Sequence, residues 1–231
     1  MKLKTLLAAV IILGTTDAWS QTFGQKLTGG INFALGFPAG EFKEVNDKVA
    51  IGGRGYIMYN PSRQAPVYLG LELGYHVMGS QTEYFYATVY GFYDQYKITA
   101  SSNIFALQFK LRLQQPKLVA VRPFVEGIVG WNDFFSTVNV ERESFNGNYN
   151  TNGGNSSDAY WAFTYGGAAG LNIVLDRKQK LFLELKTAYM IGRSAKYLTD
   201  PQITNTGQVY FTEKQSETNM VLPQVGIKFG I

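Results

Sequence analysis

The sequence predicts an all-β chain: an eight-stranded antiparallel, transmembrane up-and-down β-barrel with short turns at one end and long loops at the other. Three observations carry that expectation. Eight segments alternate apolar and polar residues, and of the ten charged residues within them none falls on an apolar face. Long and short connectors alternate strictly between the segments. Aromatic residues make up 15 % of the chain although its mean hydropathy is only −0.09. A period of two gives a strand one apolar and one polar face. In a soluble sandwich the apolar faces turn inward. In a lipid-spanning barrel they turn out to the lipid and the polar faces line the interior, with aromatic girdles at the two interfaces.

The chain opens Met1-Lys2-Leu3-Lys4, continues through an apolar run from Leu6 to Leu13, and places Ala18 and Ser20 as a small-x-small pair. This reads as a secretory signal peptide over 1–20, cleaved to leave Gln21 first, with the barrel domain over 21–231. The run is too short to cross a bilayer as a helix, which takes about 20 apolar residues. Cysteine is absent, which excludes disulfides, thiol catalysis and anchoring through a lipidated cysteine. A net charge of +4 is too mild to imply a nucleic-acid partner.

The expected strands follow in order. They run 26–37, 49–59, 67–79, 101–113, 121–131, 161–175, 181–191 and 219–231. The third shows the pattern most plainly: Val67, Leu69, Leu71, Leu73, Tyr75 and Val77 share one face, Tyr68, Glu72 and His76 the other. The connectors 38–48, 80–100, 132–160 and 192–218 are long. Those at 60–66, 114–120 and 176–180 are short and carry turn residues such as Asn60-Pro61-Ser62 and Gln115-Pro116-Lys117. With the N-terminus in the periplasm, every long connector faces outward, as membrane barrels require. The Gly/Asn-rich tract 146–157 in the third loop is expected to be mobile, and its Asn155-Ser156-Ser157 sequon is read as chance in such a tract. The aromatic second loop holds Tyr84, Phe85, Tyr86, Tyr90, Phe92, Tyr93 and Tyr96. It is expected to continue strands three and four beyond the membrane and to turn near Gly91. Its tyrosines either bind an external partner or pack on neighbouring loops and headgroups.

Eight strands enclose a lumen that side chains fill. The polar faces therefore predict a packed network of Lys26, Arg54, Lys110, Arg112, Arg122, Lys186 and Lys228 with Glu72, Glu126 and Glu184. Counting outward in equal steps from the first short turn sets Arg54 opposite Glu72. The second turn makes Lys110 and Glu126 diagonal neighbours. The charges gather toward the short-turn end, and small or neutral residues such as Gly130, Ala162, Thr164 and Gly166 predict a wetter vestibule above them. A cation-lined pore is the alternative reading. On the outer faces Tyr75, Trp131, Trp161 and Tyr189 fall where one aromatic girdle belongs, Tyr59 and Phe229 where the other does.

On these residues the chain resembles the small outer-membrane β-barrel proteins of Gram-negative bacteria, the OmpA/OmpX-like and porin-like barrel domains. The resemblance covers 21–231 and rests on three further features besides the alternating strands: the signal peptide, the segment from Arg122 to Trp131, and the final strand with Val225, Ile227, Phe229 and Ile231 on one face. That last strand is similar to the family's C-terminal assembly signal but ends on Ile rather than an aromatic. The resemblance implies an outer-membrane location, contact with lipid and lipopolysaccharide, recognition by the barrel-insertion machinery through the last strand, and an external ligand that the sequence does not name. Some barrels of this kind are lipid-modifying enzymes that use a histidine with serine or a carboxylate. Here the one histidine, His76, lies near the outer end of the third strand on the lumen face, with Ser102 on the lumen face of the next strand and Glu83 and Asp94 in the joining loop. A base–nucleophile–acid set is geometrically possible; the alternative is a polar lumen residue bonded to its neighbours. A lone His without Cys makes no usual metal site, and no cofactor motif is present. The reading reached is a non-enzymatic barrel with a structural or surface-binding, adhesion-type role through its external loops. A narrow porin-like channel and an enzyme built on His76 stand behind it.

Overall fold

A computed structural model describes residues 25–62, 65–89, 92–115, 119–143, 149–156, 160–205 and 208–230, with the side chains of 87–94 and 142–159 left undescribed. The expected signal peptide lies outside these residues. The elements are β1 (Leu27–Pro38), α1 (Glu41–Val45), β2 (Ala50–Tyr59), β3 (Val67–Val89), β4 (Phe92–Gln114), β5 (Val121–Glu143), β6 (Tyr149–Ser156), β7 (Tyr160–Val174), β8 (Leu181–Gly192), β9 (Ser194–Ile203), β10 (Val209–Glu217) and β11 (Met220–Gly230).

Eight of the strands pair antiparallel in a closed ring, β1-β2-β3-β4-β5-β7-β8-β11, with β11 returning to β1. The alternation decides which way each face turns. Leu69, Leu71 and Leu73 are 49, 43 and 52 % exposed, while Glu72 between them is 1 % exposed. Ile31, Phe33, Phe109, Leu111, Val125, Leu171, Leu185, Val225 and Ile227 continue the exposed apolar belt around the ring. A belt of that extent is stable only against hydrocarbon, so this is a transmembrane barrel.

Three features depart from expectation. The β2–β3 ladder pairs Arg54 with Gly74 and Tyr56 with Glu72, two residues away from the register counted from the turn. Glu72 is therefore diagonal to Arg54. The tract expected to be mobile contains β6, whose Tyr149–Ser156 backbone pairs with the upper part of β5. The last long connector is a second sheet, the β9–β10 hairpin, which packs against β3, β4, β5 and β7 at the long-loop end. α1, in the first long connector, packs on β10 and β1.

As expected, β3 and β4 continue above the belt and stay paired up to Val89 and Phe92. A bulge between Val77 and Gly79 reverses which alternate residues of β3 face outward. Below it the odd-numbered residues turn out. Above it Tyr84 and Tyr86 turn out and are 53 and 72 % exposed. The turn at Tyr90 and Gly91 lies outside the described residues. The β4 edge of this extension is covered by β5, and β5 in turn carries β6.

Candidate functional site

The lumen is filled at two levels. The lower is a charge cluster brought inward from four ring strands beyond β2. Arg54 Nη1 donates to Glu72 Oε1 at 2.6 Å, and Lys110 donates to the other Glu72 oxygen. Lys186 Nζ lies 3.3 Å from Glu72, 3.4 Å from Glu184 and 3.8 Å from Glu126. Lys110 Nζ also reaches Glu126 at 3.4 Å. Arg112 bridges Glu126 at 2.6 Å and Glu184 at 2.8 Å. The Tyr56 hydroxyl donates to Glu184 at 2.7 Å, and its ring lies under Lys110, Arg112 and Lys186. These side chains are buried, so pairing and hydrogen bonding are what make their presence tolerable.

The other three predicted lumen cations part from this cluster. Lys228 donates to Gln114 at 3.1 Å and sits over the Tyr68 and Phe182 rings. Arg122 reaches Gln179 and stacks over Phe182 at 4.8 Å. Lys26 is exposed beside the Tyr59 ring and is not a lumen residue, because it precedes β1 at the short-turn rim.

The upper level is apolar, where a wet vestibule was expected. Phe42 of α1, Phe134 of β5 and Tyr197 of β9 are all buried and meet edge to face or tilted, with ring centroids 5.3 to 6.4 Å apart. Met78, Ile104, Ile128, Met190, Met220 and Leu222 pack around them. The Tyr197 hydroxyl is satisfied by Ser216 Oγ at 2.8 Å. Polar contacts tie this cap down. Asp200 binds Lys48 at 2.5 Å and Lys214 at 2.8 Å, and Lys214 also donates to the Val45 carbonyl at 2.8 Å. Hydrogen bonds from Lys214 and Lys48 hold the Asp200 carboxyl below the usual carboxylate range. The cap escaped sequence reading because its strands carry no apolar face: the buried row of β9 is Ala195, Tyr197, Thr199 and Pro201, and β10 is mostly polar. The one local signal was the period-two burial of Ala195, Tyr197, Thr199 and Pro201.

His76 and Ser102 face the lumen beneath this cap and are fully buried. Neither ring nitrogen of His76 nor Ser102 Oγ has a hydrogen-bond partner among the described residues, so base and nucleophile are not joined. Glu83 is exposed and accepts from Gln81 at 3.3 Å. The Asp94 side chain is not described. Among the described residues no group of three or more His, Cys, Asp or Glu could hold a metal ion.

On the outside, Tyr75, Trp131, Trp161, Tyr189, Tyr59 and Phe229 are all exposed on the barrel wall. Of the second-loop aromatics, Tyr84 and Tyr86 point away from the barrel and Phe85 lies on the opposite face of β3, paired with Tyr96. Tyr90 lies outside the described residues, and Phe92 and Tyr93 are described by backbone alone. Beside the tyrosines runs a polar ladder across β4 and β5, with Lys97 on Glu141 at 2.9 Å and Ser101 on Thr137 at 2.8 Å.

No protein-family model matches the chain, and no curated protein matches it. Among solved structures it is similar to Neisserial surface protein A, at 9 % identity over 89 % of this chain and 96 % of that one, with a TM-score of 0.45. It is also similar to Ail, the attachment invasion locus protein of Yersinia pestis in complex with the heparin analogue sucrose octasulfate, at 9 % identity over 90 % and 99 %, with a TM-score of 0.45. The outer membrane protein AlkL in lipid bilayers matches at 10 % identity over 93 % and 94 %, with a TM-score of 0.41. At such values no function passes from these proteins to this chain.

Proposed function

We propose that this protein is an outer-membrane barrel that works as a structural or surface-binding element through its long-loop end, and that it neither conducts nor catalyses. The observation that carries this reading is the double closure of the lumen. The charge cluster occupies the lower half and the Phe42–Phe134–Tyr197 cap closes the upper half. His76 is buried beneath that cap without a hydrogen-bond partner among the described residues, where no external lipid substrate reaches it. What remains available to a partner is the sheet that stands above the belt. A rigid barrel holds it, and Tyr84 and Tyr86 project from it. In this reading the aromatics on the wall sit at the two lipid interfaces, lipid and lipopolysaccharide contact the belt, and β11 is read by the insertion machinery. The experiment pairs two measurements on the purified barrel. Planar bilayers should show no steady conductance. A pull-down on intact cells or extracellular matrix should lose its partner when Tyr84 and Tyr86 are both changed to Ser. Ion-selective conductance that changes in Lys110→Gln would replace this reading with a channel. Hydrolase or acyl-transfer activity abolished by His76→Ala would replace it with an enzyme.

A further inference from the structure

We infer that the short-turn rim carries a docking arc for the headgroup of an anionic phospholipid, built from Lys26, Arg177, Lys178 and Lys180. The inference rests on the lipid-facing wall alone and is independent of what the loops bind.

Charge is polarised along the barrel. The long connectors 38–48, 80–100, 132–160 and 192–218 carry twelve acids against seven bases, and the short ones 60–66, 114–120 and 176–180 carry one acid against five bases. That one acid, Asp176, is taken up by its own turn: its Oδ1 accepts the backbone N–H groups of Lys180 at 2.7 Å and Leu181 at 2.8 Å. Lys26, Arg177, Lys178 and Lys180 are all exposed. The ion pairs among the described residues lie in the lumen and at the long-loop end, and none includes these four.

Three of the four cations come from one turn, and the fold brings the fourth to them. Gln25 Nε2 donates to the Gln179 carbonyl at 2.8 Å, and the Gly230 N–H donates to the Lys180 carbonyl at 2.8 Å. These bonds tie the approach to β1 and the end of β11 to the turn between β7 and β8, so the four cations share one arc of the rim. Arg122 and Lys228 lie behind it, bonded to Gln179 and Gln114 and without an ion pair among the described residues, and their positive field adds to that of the arc. What lies beside the arc sets the class of partner. Leu175 and Leu181 flank the turn and, with Phe229, are exposed on the wall. Lys26 lies over the Tyr59 ring, 5.8 Å from its centroid. The cations therefore stand where the wall leaves hydrocarbon, beside one aromatic girdle. A molecule that meets both features has acyl chains against the wall and a net negative headgroup just beyond it. A zwitterionic lipid carries its own cation and gains less. Each Lys or Arg held at an anionic leaflet is worth about a fivefold factor in association.

The test exploits the absence of cysteine: Leu175→Cys takes a single fluorescent label at the foot of the arc. The full barrel is folded into bilayers of phosphatidylcholine and phosphatidylglycerol in equal parts, with a quenching nitroxide on the tail of one lipid or the other. At low salt phosphatidylglycerol should quench several-fold more strongly than phosphatidylcholine, and high salt should bring the two level by screening. Lys26→Gln, Arg177→Gln, Lys178→Gln and Lys180→Gln made together should level them at low salt as well. Lys43→Gln with Arg193→Gln, at the other end of the barrel, should leave the preference intact. Equal quenching by the two lipids at low salt would overturn the inference. So would a preference that survives high salt or the fourfold change. A fourfold variant that keeps its lipid preference but no longer binds isolated peptidoglycan would assign the arc to the cell wall instead.

Discussion

The Arg54 guanidinium meets the Glu72 carboxylate at 2.6 Å diagonally across the β2–β3 ladder, with Gly74 as its own Cα partner. The diagonal matters because it leaves the position directly opposite Arg54 without a side chain. It also aims Arg54 down the lumen toward the carboxylate that Lys110 and Lys186 share. Glu72→Gln strands Arg54 and takes one of the carboxylate partners from Lys110 and Lys186, so its cost should lie at the upper end of the roughly 3–5 kcal/mol seen when a buried pair is broken. Arg54→Met leaves Glu72 with two cations and should cost less. Equilibrium urea unfolding in micelles, run as a double-mutant cycle, should return a clear coupling energy, and additive losses would contradict the pairing.

The apolar belt makes a prediction of opposite sense. Leu71 is 43 % exposed at mid-depth on the outer wall, where a soluble protein would tolerate charge. Leu71→Arg should cost about 2–4 kcal/mol for folding into lipid vesicles, because the guanidinium must leave water for hydrocarbon. A substitution without measurable effect would mean that the wall does not face lipid.

Asp200 gives the cap a pH dependence. Its carboxyl is held below the usual value by hydrogen bonds from Lys214 and Lys48. A depressed carboxylate contributes stability above its unfolded value of roughly 4, and that contribution is lost as pH falls through the lower folded value. Protection factors over 194–217, with the intrinsic exchange rate at each pH divided out, should therefore be unchanged across neutral pH and should fall below about pH 4. In Asp200→Asn they should be lower than in the natural chain at neutral pH and flat with acidity.

Tyr197→Ala removes the ring that joins Phe42 to Phe134. Large-to-small changes of buried aromatics cost about 3–5 kcal/mol, and here the loss should be confined to the hairpin. Exchange should rise in 194–217 while β7, β8 and β11 stay protected. The barrel should remain electrically silent, since the charge cluster still fills the lower lumen. An open pore in this variant would show that the cap alone closes the lumen.

Sequence by itself determined which residues face lipid and which face the lumen. That choice is local: each strand carries its own alternation, and a single misplaced charge would break it, as the row from Val67 to Val77 makes plain. It also brought Arg54 to Glu72, because both lie near one short turn and long side chains reach a diagonal as easily as a direct partner. The register itself was decided by the tertiary structure, since ring closure and packing fix it and turn length does not. The cap was decided there as well. Residues 42, 134 and 197 belong to three different connectors and strands, and no local pattern records that they will meet.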